Sequence, residues 1–386
     1  MSAKHWILFD TESQHYVETL DISADDVPGM SGEHSIRKRR LQGGCQDGID
    51  TIEIDNGAFR FVVLPTRGMG IWKAWLGDIR VGWDSPVEGP VNPAFVPLAE
   101  PSGIGWLDGF DELICRCGLE SNGAPDFDES GHLKHAVHGR IANTPASHVE
   151  ASVGPDQGEI TVKGVVVESR FHLQQLELTT TIRTRLGEPG FRIHDEVRNR
   201  SGDEATIQML YHVNFGPPIL EPGAEVVLPF SELAPRDDRA AEGLDVWSEF
   251  GPEQLRYSEQ VYFSRLHSDG GQTRTLLKNA DATKGASLLF DVNHLPCFTL
   301  WKNERSKADG YVTGLEPGTN FPNARTYEET QGRVVRLAAG ESAKFDLQLE
   351  VHPDHQSVAA AEAHVRELAG DTAPTVFAEP QPGWSR

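Results

Sequence analysis

The stretch 175–185, QLELTTTIRTR, alternates between two kinds of side chain. Leu176, Leu178 and Ile182 lie on one face with two threonines, whereas glutamine, glutamate and arginine side chains lie on the other. Because successive side chains of a β-strand point to opposite sides of the sheet, this period of two predicts a half-buried antiparallel strand. The segment 343–351 repeats the pattern with apolar and charged residues.

Short runs of the same kind recur along the chain and are separated by turn-forming clusters such as Arg-Ser-Gly-Asp at 200–203. Many strands joined by short turns predict an all-β sandwich with few helices. The further runs are 51–64, 159–167, 191–197, 205–210, 287–290 and 298–301.

One helix is predicted, at 355–368, where alanines alternate with charged residues and Gly370 provides a stop signal. We therefore expect three parts. They are an N-terminal extension, 1–45, that packs on the domain, a sandwich domain, 46–354, and a C-terminal helix and tail, 355–386, whose tail lies over the domain or is mobile.

Two segments, 82–105 and 118–131, are too rich in glycine and proline to be strands, and we expect loops that cover a site. Between them lie Cys115 and Cys117, which share one face if their segment is a strand and are interpreted as core thiols.

Composition limits the cellular context and the partners. The 386 residues fit one large sandwich, and the formal charge of −23 argues against nucleic acid and anionic membranes as partners. No run approaches the roughly 20 apolar residues of a membrane span. Acidic residues near the start and only four cysteines favour the cytoplasm. A homodimer is compatible with the sequence.

Three well-separated segments combine ionisable residues with glycine or proline. Each is expected at a strand end, and loops on a rigid β scaffold commonly form binding or catalytic sites. The segments are HAVHGRIANTP at 135–145, YHVNFGPP at 211–218 and GLEPGTNFP at 314–322.

These segments, in this order, resemble the aldose 1-epimerase superfamily, whose fold is the galactose mutarotase-like β-supersandwich. His138-Gly139 looks like the Leu-His-Gly-Gly segment of that superfamily. The segment 211–215 resembles its Asn-His-x-Tyr-Phe-Asn segment, and 315–322 resembles its late Glu-x-x-x-x-Pro-Asp segment. The sequence TRGMGI at 66–71 adds a similarity to a DUF4432-like branch, distinct from the galactose mutarotases themselves.

The resemblance implies that His212 is a general acid and Glu316 a general base, with His138 assisting at the ring oxygen of a sugar. Opening a cyclic hemiacetal needs such a pair, because one proton leaves the anomeric hydroxyl while another reaches the ring oxygen. No metal or other cofactor is expected, and the expected ligand is a small carbohydrate.

Substrate-binding residues are also expected from the resemblance and from side-chain chemistry. Arginines suit sugar hydroxyls or carboxylates because the guanidinium donates forked hydrogen bonds. Arg140 begins the letters Arg-x-Ala-Asn of a family segment, and Trp83, Trp106 and Trp301 are either stacking surfaces or core residues. The expected set is Arg140, Arg116, Arg67, Asn214, Asp291, Trp301 and Asn320.

Two other functions fit the same residues. His138, His212 and Glu316 have the ligand types of a metal site, which would indicate a metal-dependent sugar isomerase, epimerase or lyase. The sandwich with aromatic loops would also suit a non-catalytic carbohydrate-binding protein.

Overall fold

A computed structural model describes residues 3–27, 29–30, 32–154, 156 and 158–385. Its strands are, in chain order, β1 Lys4–Asp10, β2 His15–Tyr16, β3 Leu20–Ser23, β4 Ser35–Arg40, β5 Asp50–Asp55, β6 Phe59–Leu64, β7 Gly70–Leu76, β8 Ile79–Val81, β9 Ile114–Leu119, β10 Asp126–Phe127, β11 Leu133–His135, β12 Ala146–Gly154, β13 Glu159–Arg170, β14 Gln174–Arg185, β15 Gly190–Asn199, β16 Ala205–Phe215, β17 Glu225–Val227, β18 Phe230–Pro235, β19 Gln260–Leu266, β20 Gln272–Lys278, β21 Gly285–Asp291, β22 Cys297–Asn303, β23 Val312–Gly318, β24 Val335–Leu337, β25 Ser342–His352 and β26 Thr375–Val376.

The strands form two large sheets that pack face to face. One sheet has the order β17-β20-β21-β25-β15-β14-β13-β12-β1-β2, and the other runs β26-β18-β19-β22-β23-β16-β9-β7-β6-β5-β4-β3. A single apolar core joins them, and Phe61 of β6 lies 4.7 Å from Phe191 of β15, measured between ring centroids. This is the all-β sandwich that the sequence predicts.

The alternating segments are strands, with differences at their ends. The run 51–64 is two strands, because the side-chain carbonyl of Asn56 accepts hydrogen bonds from the backbone amides of Ala58 and Phe59 and closes a turn. The run 205–210 extends to Phe215 and so carries His212 inside β16. Glu316 also lies inside a strand, β23, and not in the predicted loop.

The N-terminal segment is part of the sandwich and not an extension that packs on it. Strand β1 pairs with β12 in one sheet, and β4 pairs with β5 in the other. The boundary predicted at residue 45 therefore does not separate two structural units.

Three α-helices lie within the described residues: α1 Asp238–Ala241, α2 Arg325–Thr330 and α3 His355–Ala369. Helix α3 agrees with the predicted helix, and Val358, Ala361 and Val365 pack against Leu276 of β20. The tail lies over the domain, where β26 pairs with β18. None of the helices in these ranges is long and apolar enough to cross a membrane.

A buried ion pair joins the two sheets at the centre of the core. The guanidinium of Arg116, on β9, donates from Nε and Nη2 to the carboxylate of Asp195, on β15, at 2.5 and 3.0 Å. It also donates to Thr180 of β14 and to the backbone carbonyl of Met69, and the Tyr211 hydroxyl donates to Asp195. All these polar groups are buried and satisfied, which is the condition under which a buried charge is tolerated.

The first prediction concerns this ion pair. Replacing Asp195 by Ala leaves the Arg116 charge buried without its partner, and we expect the free energy of unfolding to fall by about 3–5 kcal/mol. Urea denaturation measures the change. The matched control is Asp346→Ala, which removes an exposed carboxylate that pairs with His194 on the same sheet. Equal losses in the two variants would contradict a structural role for the buried pair.

Candidate active site

His212 and Glu316 face each other on neighbouring strands. In the antiparallel pair of β16 and β23, Leu210 lies opposite Gly318 and Asn214 lies opposite Gly314. This register places His212 opposite Glu316, and the imidazole Nε2 lies 3.1 Å from the carboxyl Oε1. Both side chains are almost completely buried, at 4% and 2% exposure.

Asn214 orients the imidazole. Its side-chain nitrogen donates to the backbone carbonyl of Glu112 at 3.0 Å, so its side-chain oxygen is turned toward His212. That oxygen lies 2.6 Å from Nδ1 of His212 and accepts a hydrogen bond from it. The hydrogen-bond network thus assigns the ring proton of neutral His212 to Nδ1, and Nε2 is free to accept a proton from Glu316.

Burial perturbs both members of this pair. It is the largest cause that lowers the pKa of His212 well below 6.5, and His138 lowers it further. Burial is also the main cause that raises the pKa of Glu316 well above 4.5, with a contribution from the Glu259 carboxylate. Both shifts favour uncharged side chains, and Nε2 of His212 lies within contact distance of the Glu316 carboxyl group.

Gly314 provides the room for this arrangement. A Cβ at this position would overlap the Glu316 carboxylate and would lie 3.2 Å from Cε1 of His212. The strand therefore needs a residue without a side chain here, next to His212 and Glu316.

His138 approaches the pair from a loop between β11 and β12. Its ring centroid is 5.3 Å from that of His212, and its Nδ1 donates to the backbone carbonyl of Asn122 at 2.9 Å. Burial lowers the pKa of His138, so the neutral ring presents Nε2 as an acceptor. The expected assistance of His138 at the ring oxygen of a sugar stays a prediction.

These three residues line a cavity of about 280 Å³ on the side of the sheet opposite the core. Trp106 and Phe110, from the segment after the predicted loop, cover it together with Trp301 of β22. The size is close to the lower end of the range of about 300–1,000 Å³ for drug-sized ligands, which suits a single sugar ring.

Two buried polar groups in the lining have no partner among the described residues. They are the Thr299 hydroxyl, which lies beside Glu316 on the neighbouring strand, and the indole NH of Trp106. Buried hydroxyl and NH groups are normally hydrogen-bonded, so these two mark positions where a polar ligand would restore the missing bonds.

The sequence motifs missed several lining residues. Arg236 donates to Glu259 at 3.1 Å, and Glu259 accepts from the indole NH of Trp301 at 2.7 Å, so the three form one wall of the cavity. Thr299 of β22 is a third lining residue that the motifs missed. The alternation of β22 carried a signal for Thr299, since it shares a face with Trp301, but no motif marks Arg236 or Glu259.

Several predicted substrate-binding residues lie elsewhere. Arg116 is in the core ion pair described above. Arg67 is 1% exposed and donates to Glu112, to the backbone carbonyls of Val91 and Gly109 and to Asn143, so it holds the covering loops. Neither guanidinium reaches the cavity, and the predicted contacts of both with a sugar are wrong.

The predicted amides lie just behind the cavity. Asn214 orients His212, and Asn320 exchanges two hydrogen bonds with Asn122, at 2.8 and 2.9 Å, beneath the carbonyl that accepts from His138. They position catalytic candidates and do not line the cavity, which corrects their predicted role as direct ligands of the sugar.

Asp291 and Arg140 are also outside this cavity. Asp291 ends β21 in the other sheet and accepts from the backbone amide of Asn293. Arg140 lines a separate cavity. Of the predicted substrate-binding set, Trp301 alone lines the cavity that contains His212 and Glu316.

His138, His212 and Glu316 meet at this site, but not in the arrangement of a metal site. Within the described residues, no three His, Cys, Asp or Glu side chains are arranged so that they could hold a metal ion. Cys115 and Cys117 are buried beneath the cavity, and burial raises the pKa of both thiols.

The fold is that of galactose mutarotase-like proteins. The model of the DUF4432 family, a domain of unknown function, matches residues 46–351, and the chain belongs to that family. A search of curated proteins found no match.

Solved structures show the same architecture. A Klebsiella pneumoniae protein provisionally described as an aldose 1-epimerase is 36% identical, with a TM-score of 0.95 over 99% of this chain and 100% of its own. A galactose mutarotase-like protein of Clostridium acetobutylicum is 14% identical, with a TM-score of 0.57 over 82% of this chain and 98% of its own. A galactose 1-epimerase of Lactobacillus acidophilus is 12% identical, with a TM-score of 0.55 and the same coverage.

The second prediction concerns the protonation of His212. We expect the ring to be neutral, with its proton on Nδ1, at pH 6.5, because burial lowers its pKa below that value. Long-range ¹H–¹⁵N NMR of histidine-labelled protein reports the tautomer. Asn214→Ala removes the acceptor of the Nδ1 proton and should yield a mixture of tautomers. A charged His212 ring in the parent protein at pH 6.5 would contradict the assignment.

Proposed function

We propose that this protein is an isomerase of the aldose 1-epimerase type, which interconverts the anomers of a sugar or sugar derivative. The observation that carries the proposal is the contact of 3.1 Å between Nε2 of His212 and Oε1 of Glu316 in a half-open, largely apolar cavity. The similarity to proteins described as aldose 1-epimerases or mutarotase-like supports the same class.

Ring opening needs a base and an acid, and His212 and Glu316 supply both when they share one proton. When its one proton moves from Glu316 to Nε2 of His212, the pair becomes a carboxylate base and an imidazolium acid. The carboxylate then takes the proton of the anomeric hydroxyl while the imidazolium gives its proton to the ring oxygen. The bond between C1 and the ring oxygen breaks and an open-chain aldehyde forms.

Rotation about the C1–C2 bond and the reverse proton transfers close the ring as the other anomer. The pair ends each cycle with one proton, as it began, so no cofactor or external proton source is required by this scheme. His138 accepts a hydrogen bond from a sugar hydroxyl, and Thr299 and the Trp106 indole donate to sugar oxygens. Trp301 and Phe110 supply apolar faces for the ring.

The cavity extends far enough to hold a substrate larger than one sugar ring. A second lobe of about 450 Å³ shares Leu107, Phe110, Glu259 and Trp301 with the first cavity. A substituent on the sugar, such as a second sugar ring, would extend into it. Substrate panels should therefore include reducing disaccharides, uronates and keto-sugars besides simple aldoses. The predicted cytoplasmic location fits such a small-molecule enzyme and stays a prediction.

The third prediction tests the acid and the base. His212→Ala and Glu316→Gln should each lower the rate of anomer exchange, measured by NMR on the sugar panel, by about 10²–10⁴-fold. Glu316→Gln keeps the size of the side chain, so sugar binding should persist. Asp291→Asn is the matched control outside the cavity. Exchange at the parent rate in both variants would contradict the proposal, and binding without exchange in the parent would indicate a carbohydrate-binding protein instead.

The fourth prediction is the pH dependence. Because the pair works with one proton, activity should fall on the acid side when His212 takes up a second proton, and this limb should lie below pH 6.5. On the alkaline side activity should fall when Glu316 loses its proton, at a pH well above 4.5. Rates of anomer exchange, corrected for the uncatalysed rate at each pH, measure both limbs. An acid limb at or above pH 6.5 would contradict the shared-proton scheme.

A chelator provides the remaining test of this scheme. Treatment with EDTA followed by dialysis should leave the exchange rate unchanged. Loss of activity that is restored by adding a divalent metal would favour the metal-dependent alternative.

A further inference from the structure

A second cavity, of about 250 Å³, lies behind the loop that carries His138. It shares no lining residue with the cavity of His212 and Glu316. The wall between them is the segment 136–140: His138 faces the first cavity, while Gly139 and Arg140 line the second. This arrangement separates any ligand of the second cavity from the sugar.

The backbone of this wall is tightly fixed. Gly139 has φ of 71°, and a Cβ there would overlap the backbone carbonyls of Ser121 and Gly118. The Arg140 amide donates to the Gly118 carbonyl at 3.0 Å. His138 and Arg140 are thereby held on opposite sides of one rigid turn.

Two polar groups in the second cavity have no partner. The Nη2 atom of Arg140 is buried without a hydrogen bond, whereas the residue as a whole is half-buried and its charge acts on the nearby carboxylates of Glu120 and Glu168 without an ion-pair contact. The hydroxyl of Ser121, a residue that is 1% exposed, is also buried and unpaired. Buried polar atoms normally form hydrogen bonds, so these two groups mark positions where a polar ligand would supply the missing bonds.

The acidic residues of the cavity already have partners. Glu168 accepts from the backbone amides of Leu119 and Glu120, both at 3.1 Å, and from Gln174 at 2.9 Å. Burial raises the pKa of Glu168, whereas the Arg140 charge lowers it. Glu120 lies 3.7 Å from His135.

The remaining charges of the lining are positive. Lys134 and Arg170 join Arg140 there, and neither forms an ion pair with a described residue. Lys134 and Arg170 are exposed at the rim of the cavity, and Arg140 is half-buried. A guanidinium fork pairs best with two oxygens of a carboxylate or a phosphate.

We propose that this second cavity binds a small molecule bearing an oxyanion, with Arg140 as its principal partner and Ser121 as a second hydrogen-bond donor. The ligand occupies a site distinct from the sugar site, so this inference stands apart from the proposed isomerase activity. Arg140, which sequence reasoning assigned to the sugar, thus serves a different ligand.

The fifth prediction is binding of simple oxyanions. Isothermal titration calorimetry of the full chain at constant ionic strength, with inorganic phosphate and with acetate as separate probes, distinguishes the two oxyanion chemistries. We expect saturable binding of at least one probe in a 1:1 ratio. Arg140→Gln should weaken it about tenfold or more, because a charge-assisted hydrogen bond is lost. Ser121→Ala should weaken it less.

Two controls keep the test specific. Arg198→Gln removes an exposed arginine on the other sheet and should leave binding unchanged. Arg140→Lys keeps the charge but loses the fork, and should retain part of the affinity. Thermal denaturation confirms that each variant is folded.

Three results would overturn the inference. The first is equal binding by the parent and by both Arg140 variants. The second is no binding of either probe to the folded parent. The third is competition between the bound oxyanion and a sugar for one site, which would place the anion in the first cavity.

Discussion

The ion pair between Arg116 and Asp195 determines which side chains face the core and which face the candidate site. It joins β9 of one sheet to β15 of the other, and Tyr211 of β16 donates to the same carboxylate. Since side chains alternate along a strand, fixing Arg116 and Tyr211 inward turns Cys115, Cys117 and His212 outward. A slip of one residue would exchange the two sets and bury the imidazole between the sheets.

The outward face is shaped by loops as much as by strands. Arg67 anchors the covering segments through the carbonyls of Val91 and Gly109, and the aromatic residue next to Gly109, Phe110, closes the cavity. The Glu112 carbonyl, which follows in the same segment, accepts from Asn214 and so links this cover to the orientation of His212. Arg67 and Asn214, which were predicted from the sequence to bind the sugar, thus support the residues that would contact it.

The fold and the central pair were predictable because their signals are local. Period-two alternation indicates strands, and the segments around His138, His212 and Glu316 carry a family resemblance. The positions of the arginines were not predictable, because their partners are distant in sequence: Asp195 is 79 residues from Arg116. The sequence carries a partial indication of where Arg116 points, because a strand that places Cys115 and Cys117 on one face places Arg116 on the opposite face. Nothing local marks Arg236 and Glu259, which reach the cavity only through tertiary structure.

The burial of His212 and Glu316, which favours the uncharged forms of both side chains, has a consequence for the response to salt. The surface charges are screened beyond a Debye length of about 8 Å at physiological ionic strength. A pair that carries no net charge and meets an uncharged hydroxyl compound offers little for mobile ions to screen. Recognition and turnover of a neutral sugar should therefore be nearly independent of ionic strength, even though the chain as a whole is strongly anionic.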